Sequence, residues 1–317
     1  MAARKYAVLT MAHEETDALR LWERYYAAEF GAENLFVVDH NSTAFPASSV
    51  LQADCNILRM PVANPVMDPD GGKRLFDHAR FKFLSSTVEA LLYYYDCVIL
   101  GDADEVIVVD PKAGTGLRDY LDGLDDLAIR AAVGIDVIHN HREEPDYALD
   151  KPLFEQRSFF RYNLHFTKPR ILSEAVEVTG HGAMGPVTID PNLLLLHLHW
   201  VDRRQKLERQ RVRLGAFEAG RGGLKSHWKD DEAETIARFD KFLSYAVSEE
   251  DMPHHDFLDI MLPGYREKPL SGKNYTRLKG ERHRLIELDK FIERDHLLLV
   301  EQELHRFPER FKPLKNP

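Results

Sequence analysis

Cysteine is nearly absent from this 317-residue chain. Cys55 and Cys97 are its only two, so no disulfide framework is implied, a cytoplasmic, reducing setting is expected, and any metal site must use carboxylates and histidines. Positive charge is also in short supply. Against 52 acidic residues stand 42 lysines and arginines, and the net charge of -10 argues against nucleic acid as a main partner. Long apolar runs are missing. No stretch reaches the roughly 18 uninterrupted apolar residues of a membrane helix, and the best candidates are broken by Asp96 or by His197 and His199. The opening, with Arg4 and Lys5 ahead of a short apolar run, meets His13, Glu14 and Glu15 at once and reads as a first strand rather than a leader. Internal repeats and low-complexity tracts are absent too.

What is present suits a folded α/β chain: 44% of the residues are hydrophobic, enough for a full core. Tyr6 to Thr10 reads as a strand, followed by Leu19, Trp22, Tyr26 and Phe30 at helical spacing, with Gly31 as a stop. Leu35 to Val38 and Ile57 to Met60 read as strands, and Phe76, Ala79, Phe83, Ala90 and Tyr94 mark a long helix that leads into the buried-type strand Cys97 to Leu100. This βαβ pattern predicts a parallel sheet. Three polar clusters, His13 to Glu15, Asp39 to Ser42 and Asp102 to Glu105, then fall at the carboxyl ends of strands, where ligands of open α/β sheets collect. Further on, Ala131 to Ile138 and Leu193 to Trp200 read as strands, and helical patterns occupy Ala233 to Val247 and Leu285 to Leu304.

The segment Gly101-Asp102-Ala103-Asp104-Glu105 puts carboxylates where a buried strand emerges, a costly arrangement unless a cation or hydrogen-bond donors offset the charge. That spacing suits a hard divalent ion, Mn²⁺ or Mg²⁺, which takes one or two protein carboxylates and fills its remaining positions with diphosphate oxygens and water. A solvated acidic loop is the other reading of the same residues. On a strand, His197 and His199 lie two apart and face one side.

Tyr6 to Glu15, Trp22-Glu-Arg-Tyr25, Phe36 to Ser42 and Asp96 to Glu105 together resemble the GT-A glycosyltransferases of the family-two-like group, closely over about the first 110 residues and loosely over the next hundred. The resemblance implies an α/β fold of GT-A type, a Rossmann-like mixed sheet flanked by helices with a helical C-terminal extension. The catalytic domain would span 1–205, with a nucleotide-binding half at 1–110 and an acceptor half at 111–205, and 206–317 would be mainly helical. It implies that Ala12, His13, Glu14 and Asp39 hold the nucleoside. Asp102 would face ribose or metal, Asp104 and the late His199 would bind the metal, and the pair Ala79-Arg80 would bring Arg80 to the diphosphate. The family's asparagine after that pair is Phe81 here. Asp39 also suits a turn cap, Glu14 a helix cap, Arg80 a surface ion pair and His197 a core position.

Lys168-Pro169 followed by Thr179-Gly-His-Gly182 is similar to an arrangement in related transferases, which assigns Lys168 to the leaving diphosphate and brings His181, between glycines, close to sugar or phosphate; a surface lysine and an ordinary turn are the other reading. The implied reaction moves a sugar from a nucleoside-diphosphate sugar, UDP-sugar favoured, to a hydroxyl of a glycan or glycoconjugate. Asp136, after the apolar Val133-Gly-Ile135 run, and Glu174 are the candidates for the base; neither falls in the Glu-Asp motif of inverting relatives, so inverting and retaining outcomes stand as alternatives. The basic run Arg203 to Arg213 reads as a solvated helix face, a phosphate clamp or an acidic-acceptor site, and the C-terminal helices offer a surface for a homo-oligomer. Two rivals stand beside this reading. A sugar-phosphate nucleotidyltransferase would need a glycine-rich, basic phosphate loop near the first strand, which is missing; a non-catalytic scaffold could retain the same sheet.

Overall fold

The computed structural model describes residues 3–61, 76–114, 116–163, 166–179, 182–183, 187–218, 230–248 and 302–314. Strand β1 (Tyr6–Ala12) is buried at every position but Met11, as expected of a parallel strand covered on both faces. It lies between β2 (Leu35–His40) and β4 (Cys97–Leu100), both parallel to it, and β3 (Asn56–Met60) adds a parallel outer strand beside β2. Helix α1 (Asp17–Phe30) turns Leu19, Trp22, Tyr26 and Phe30 into the core and ends at Gly31, whose φ of +86° suits glycine and whose N–H donates to the Ala27 carbonyl. Helix α2 (Ala47–Val50) is a single turn, and α3 (Phe76–Leu91) precedes β4.

Beyond β4 the sheet turns mixed. Strand β5 (Glu105–Val109) follows directly on the acidic segment, then come α4 (Leu117–Asp122), β6 (Arg130–Ile138), α5 (Leu153–Gln156), β7 (Phe159–Tyr162) and β8 (Pro169–Leu172). Strands β9 (Val178–Thr179) and β10 (Gly182–Ala183) form a small separate pair, and β11 (Thr188–His197) runs antiparallel to β5 and parallel to β6. Helices α6 (Arg203–Glu218) and α7 (Glu232–Phe242) follow, and β12 (Ala246–Ser248) and β13 (Glu303–Arg306) pair together and extend the same sheet past β7. The main sheet has 11 strands in the order β12-β13-β7-β6-β8-β4-β1-β2-β3, with β11 beside β6 and β5 beside β11. The chain is therefore an α/β protein with a large mixed sheet flanked by helices. No helix among the described residues is long and apolar enough to cross a membrane.

Several expectations change in detail. The region after 205 supplies α6 and α7 but also two strands of the main sheet, and the described end of the helix expected over Leu285 to Leu304 is strand β13; the rest of that stretch lies outside the described residues. The helix expected over Ala233 to Val247 stops at Phe242, because Val247 pairs with Leu304 in the sheet. Strand β11 ends at His197, and Leu198–Trp200 is a 3₁₀ turn.

Candidate functional site

The three polar clusters do converge. Ala12 stands opposite Asp39 in the β1–β2 register, and β4 ends beside β1, so the loops after these strands share one edge of the sheet. Asp104 sits in the tight turn between β4 and β5. Its backbone carbonyl accepts the Leu198 N–H at 2.8 Å, which fixes the turn between His197 and His199. Its Oδ2 is 4.0 Å from His197 Nε2 and 3.7 Å from His199 Nδ1, and the two imidazoles stack at 5.2 Å with planes only 7° apart. Asp104, His197 and His199 each offer one ligand atom, all within 4.8 Å of one another, so the group could hold a metal ion. Burial alone would raise the Asp104 pKa. A hydrogen bond from His199 and the charges of His197 and Arg209 outweigh it and hold the carboxyl well below the usual carboxylate range.

His197 is the better positioned imidazole. It lies in register with Asp136 on the neighbouring parallel strand, and its Nδ1 is 2.6 Å from Asp136 Oδ1, so Nδ1–H donates there and Nε2 faces Asp104. Phe166 stacks on its other face at 3.6 Å. His197 is buried and bonded to Asp136, as a core histidine would be, and it also stands with His199 in the group that could hold a metal ion. His199 meets the Lys206 ammonium at Nε2, 2.5 Å away, and that lysine also lies over the Trp200 ring.

Asp136 is fully buried, and beyond His197 it accepts from Arg161 at 2.7 Å and from Asn163 at 2.8 Å. Burial would raise its pKa, but these partners hold it well below the carboxylate range. An acid so occupied orients its neighbours and is a poor acceptor for a substrate proton. Glu174, the other expected base, is exposed in the bend after β8, and because Leu172 pairs with Val98 at the start of β4 it lies at the opposite end of the strands from Asp104.

Asp102, expected as a second ligand, lies outside the metal group. Its Oδ1 pairs with Arg80 and its Oδ2 is 3.6 Å from Arg170. Burial again opposes ionisation, while Arg80, Arg170 and Lys168 win and push the carboxyl well below its ordinary value. Lys168 is buried, bonded to Glu105 at 2.5 Å and seated over the Phe166 ring; burial lowers its pKa. Arg170 bonds the other Glu105 oxygen at 2.8 Å. The acidic segment is thus countered by Arg80, Lys168 and Arg170 on one side. On the other stands Arg209, which bonds Glu15 at 2.5 Å and comes within 4.0 Å of Asp104.

The loops after β1 and β2 lock each other. Glu14, at φ +50°, accepts backbone N–H groups of Thr43, Ala44 and Phe45; although burial opposes it, these bonds lower its pKa to about 2. Buried Asp39 accepts from the N–H groups of Ser42 at 2.9 Å and Ala47 at 3.0 Å, so it caps the turn and α2. His13 is exposed, with Nδ1 2.8 Å from the His40 carbonyl. Of the nucleoside residues expected here, Glu14 and Asp39 are committed to shaping the loops. His181 lies outside the described residues.

A second group with metal-ligand spacing, His139, Asp146 and Asp202, is already satisfied at two of its three members. Asp202 accepts from Tyr147 N–H at 2.7 Å, Gln205 N–H at 2.8 Å and the buried Arg157 at 3.4 Å, while His139 Nδ1 accepts from Arg203 N–H. This cluster caps α6 and so presents Lys206 and Arg209 to the Asp104 group. Their spacing on that helix, with Gln210, was a legible sign of a site-facing stripe within the basic run.

Fold and site together define an α/β protein whose strand ends carry an acid–histidine group that could hold a metal ion, flanked by Lys206 and Arg209. No protein-family model matches the chain, and a search of the curated proteins finds no match.

Proposed function

We propose that the protein is a metal-dependent glycosyltransferase of GT-A type, moving a sugar from a nucleoside-diphosphate sugar, UDP-sugar favoured, to a hydroxyl of a glycan or glycoconjugate. The observation that carries this reading is the meeting of Asp104, from the D-x-D turn after β4, with His197 and His199 at the end of β11. Two imidazole nitrogens and one carboxylate suit Mn²⁺ better than Mg²⁺, which prefers an all-oxygen octahedron. Asp104, His197 and His199 would hold the ion, and a divalent ion there supplies charge stabilisation to a departing diphosphate.

The chain's own residues supply the rest. Arg80 and Arg170 hold Asp102 ionised, and Arg80 and Arg209, both partly exposed, form a cationic rim on which diphosphate oxygens can replace existing carboxylate partners. Asp136 keeps His197 in the Nδ1–H form, so that Nε2 points at the ion position. The Glu14 clamp holds the two nucleoside-side loops together before any ligand arrives.

Titration calorimetry with UDP and GDP in the presence and absence of Mn²⁺ tests the reading. Mn²⁺ should tighten nucleotide binding to the wild-type chain by about ten-fold or more, and Asp104→Ala should abolish that enhancement while the far-UV spectrum and cooperative melting persist. Absence of nucleotide binding under both conditions, or an Mn²⁺ effect that survives in Asp104→Ala, would sink it.

A further inference from the structure

His199 faces two charges of opposite sign. Its Nδ1 lies 3.7 Å from Asp104 Oδ2, and its Nε2 lies 2.5 Å from the Lys206 ammonium. An ammonium carries three N–H donors and no acceptor, so Nε2 receives it through its lone pair. The ring proton of a neutral imidazole then sits on Nδ1, where the Asp104 carboxylate draws a hydrogen bond from it. Both neighbours select the same tautomer. In that form His199 has no lone pair to give to an ion beside Asp104, because one nitrogen carries the proton and the other is taken by Lys206. His197 is presented differently, with Nδ1 on Asp136 and Nε2 4.0 Å from Asp104.

Lys206 is built into this place. It is only 4% exposed, its Nζ lies 4.9 Å from the centre of the Trp200 ring, and Trp200 is packed edge to face on Phe239 and Phe242 of α7. Its backbone N–H donates to the Asp202 carbonyl at 3.0 Å in the first turn of α6, so the stem starts from a fixed point. One turn along the same helix, Gln210 Oε1 is 3.4 Å from Nζ. The ammonium thus keeps an acceptor when it leaves His199, and rotation about the end of the lysine chain is enough to exchange the two.

We infer that Lys206 is a latch on the metal group: seated on Nε2 it keeps His199 out of the ligand set, and it turns to Gln210 when an ion claims Nδ1. In the exchange one proton leaves Nδ1 and one arrives at Nε2, so the imidazole stays neutral, and the new Nε2–H, a donor facing donors, excludes the ammonium. The inference rests on the reading of Asp104, His197 and His199 as a metal group and needs no nucleotide. Calorimetry with Mn²⁺ alone on the full chain tests it. Lys206→Met keeps a stem of similar length against Trp200 without the ammonium, and it should tighten Mn²⁺ binding about ten-fold or more. Removing a positive charge near an ion tightens binding by itself, so the substitution is repeated in a His199→Phe chain, which keeps a ring against His197 without nitrogens. There the gain should shrink to about three-fold or less. In the metal-free wild-type chain, nitrogen NMR of the histidine side chains should find His199, assigned by its loss in His199→Phe, protonated on Nδ1 and not on Nε2. An equal gain with and without His199, unchanged affinity in Lys206→Met, or a His199 protonated on Nε2 would each overturn the latch and leave the metal reading in place. Absence of Mn²⁺ binding to both the wild-type and the Lys206→Met chains would overturn the two together.

Discussion

His305 is held in β13 against the rings of Phe160, 5.3 Å away and nearly parallel, and Tyr162 at 4.9 Å, and neither of its nitrogens has a hydrogen-bond partner among the described residues. Burial pushes its pKa from 6.5 down to about 4. The unfolded chain thus binds a proton near pH 6.5 that the folded chain refuses until pH 4, and stability from this residue is complete above pH 6.5 and lost as pH falls toward 4. Between pH 7 and pH 5 the loss amounts to roughly 2 kcal/mol. His305→Phe keeps a flat ring in the same slot and removes the titration, so urea unfolding at the two pH values should show a gap smaller by about that amount. An undiminished gap would mean that the acid sensitivity lies elsewhere. The site residues show what a single position reveals of its role. The alternation His197, Leu198, His199 announced two imidazoles on one side, and the structure stacks them. Asp136 read as a base because it follows an apolar run toward a strand end; Arg161, Asn163 and His197, which occupy it, come from other strands and loops that no local pattern connects to it.

At the scale of elements, Gly134 explains how those partners arrive. It sits in the middle of β6, and a Cβ there would come within 2.3 Å of the Phe166 carbonyl carbon, 2.5 Å of the Thr167 nitrogen and 2.6 Å of the Asn163 oxygen. Only glycine lets the chain around Asn163 and Phe166 pass so close, and the crossing is tied by Asn163 N–H to the Gly134 carbonyl and Gly134 N–H to the Thr167 hydroxyl. The same segment delivers Asn163 to Asp136, Phe166 to His197 and Lys168 to Glu105. Gly134→Ala should therefore cost about 1–3 kcal/mol of unfolding free energy as the overpacked segment shifts. It should also weaken Mn²⁺ binding measured by calorimetry on the folded variant, because His197 loses its stacking partner. A destabilised variant with wild-type Mn²⁺ affinity would separate the crossing from the site. The early strands and α1 were legible because each is a clean apolar run or a clean helical period bounded by polar residues. Strands β5 and β8 were not: β5 begins at Glu105, inside the acidic motif, and β8 is four residues long and opens on Pro169.

At the scale of the whole molecule, the last described segment is part of the body that carries the site. Strand β13 fits between β12 and β7, Phe311 is completely buried with its ring 5.4 Å from Phe154 and 5.8 Å from Phe307, and Arg310 grips both oxygens of Asp110 at 2.8 and 2.9 Å. Asp110 directly follows β5, which pairs with the strand that ends in His197. A domain boundary near residue 205 would let the C-terminal stretch unfold on its own. The packing predicts one transition instead, because removing Phe311 opens a cavity in the same core cluster that holds Trp22, Leu195 and Phe160. Phe311→Ala should lower unfolding free energy by about 3–5 kcal/mol, with fluorescence and far-UV circular dichroism moving together along the urea axis. Two separated transitions, with the Mn²⁺ response surviving the first, would show instead that the sheet around Asp104 stands without its C-terminal strand.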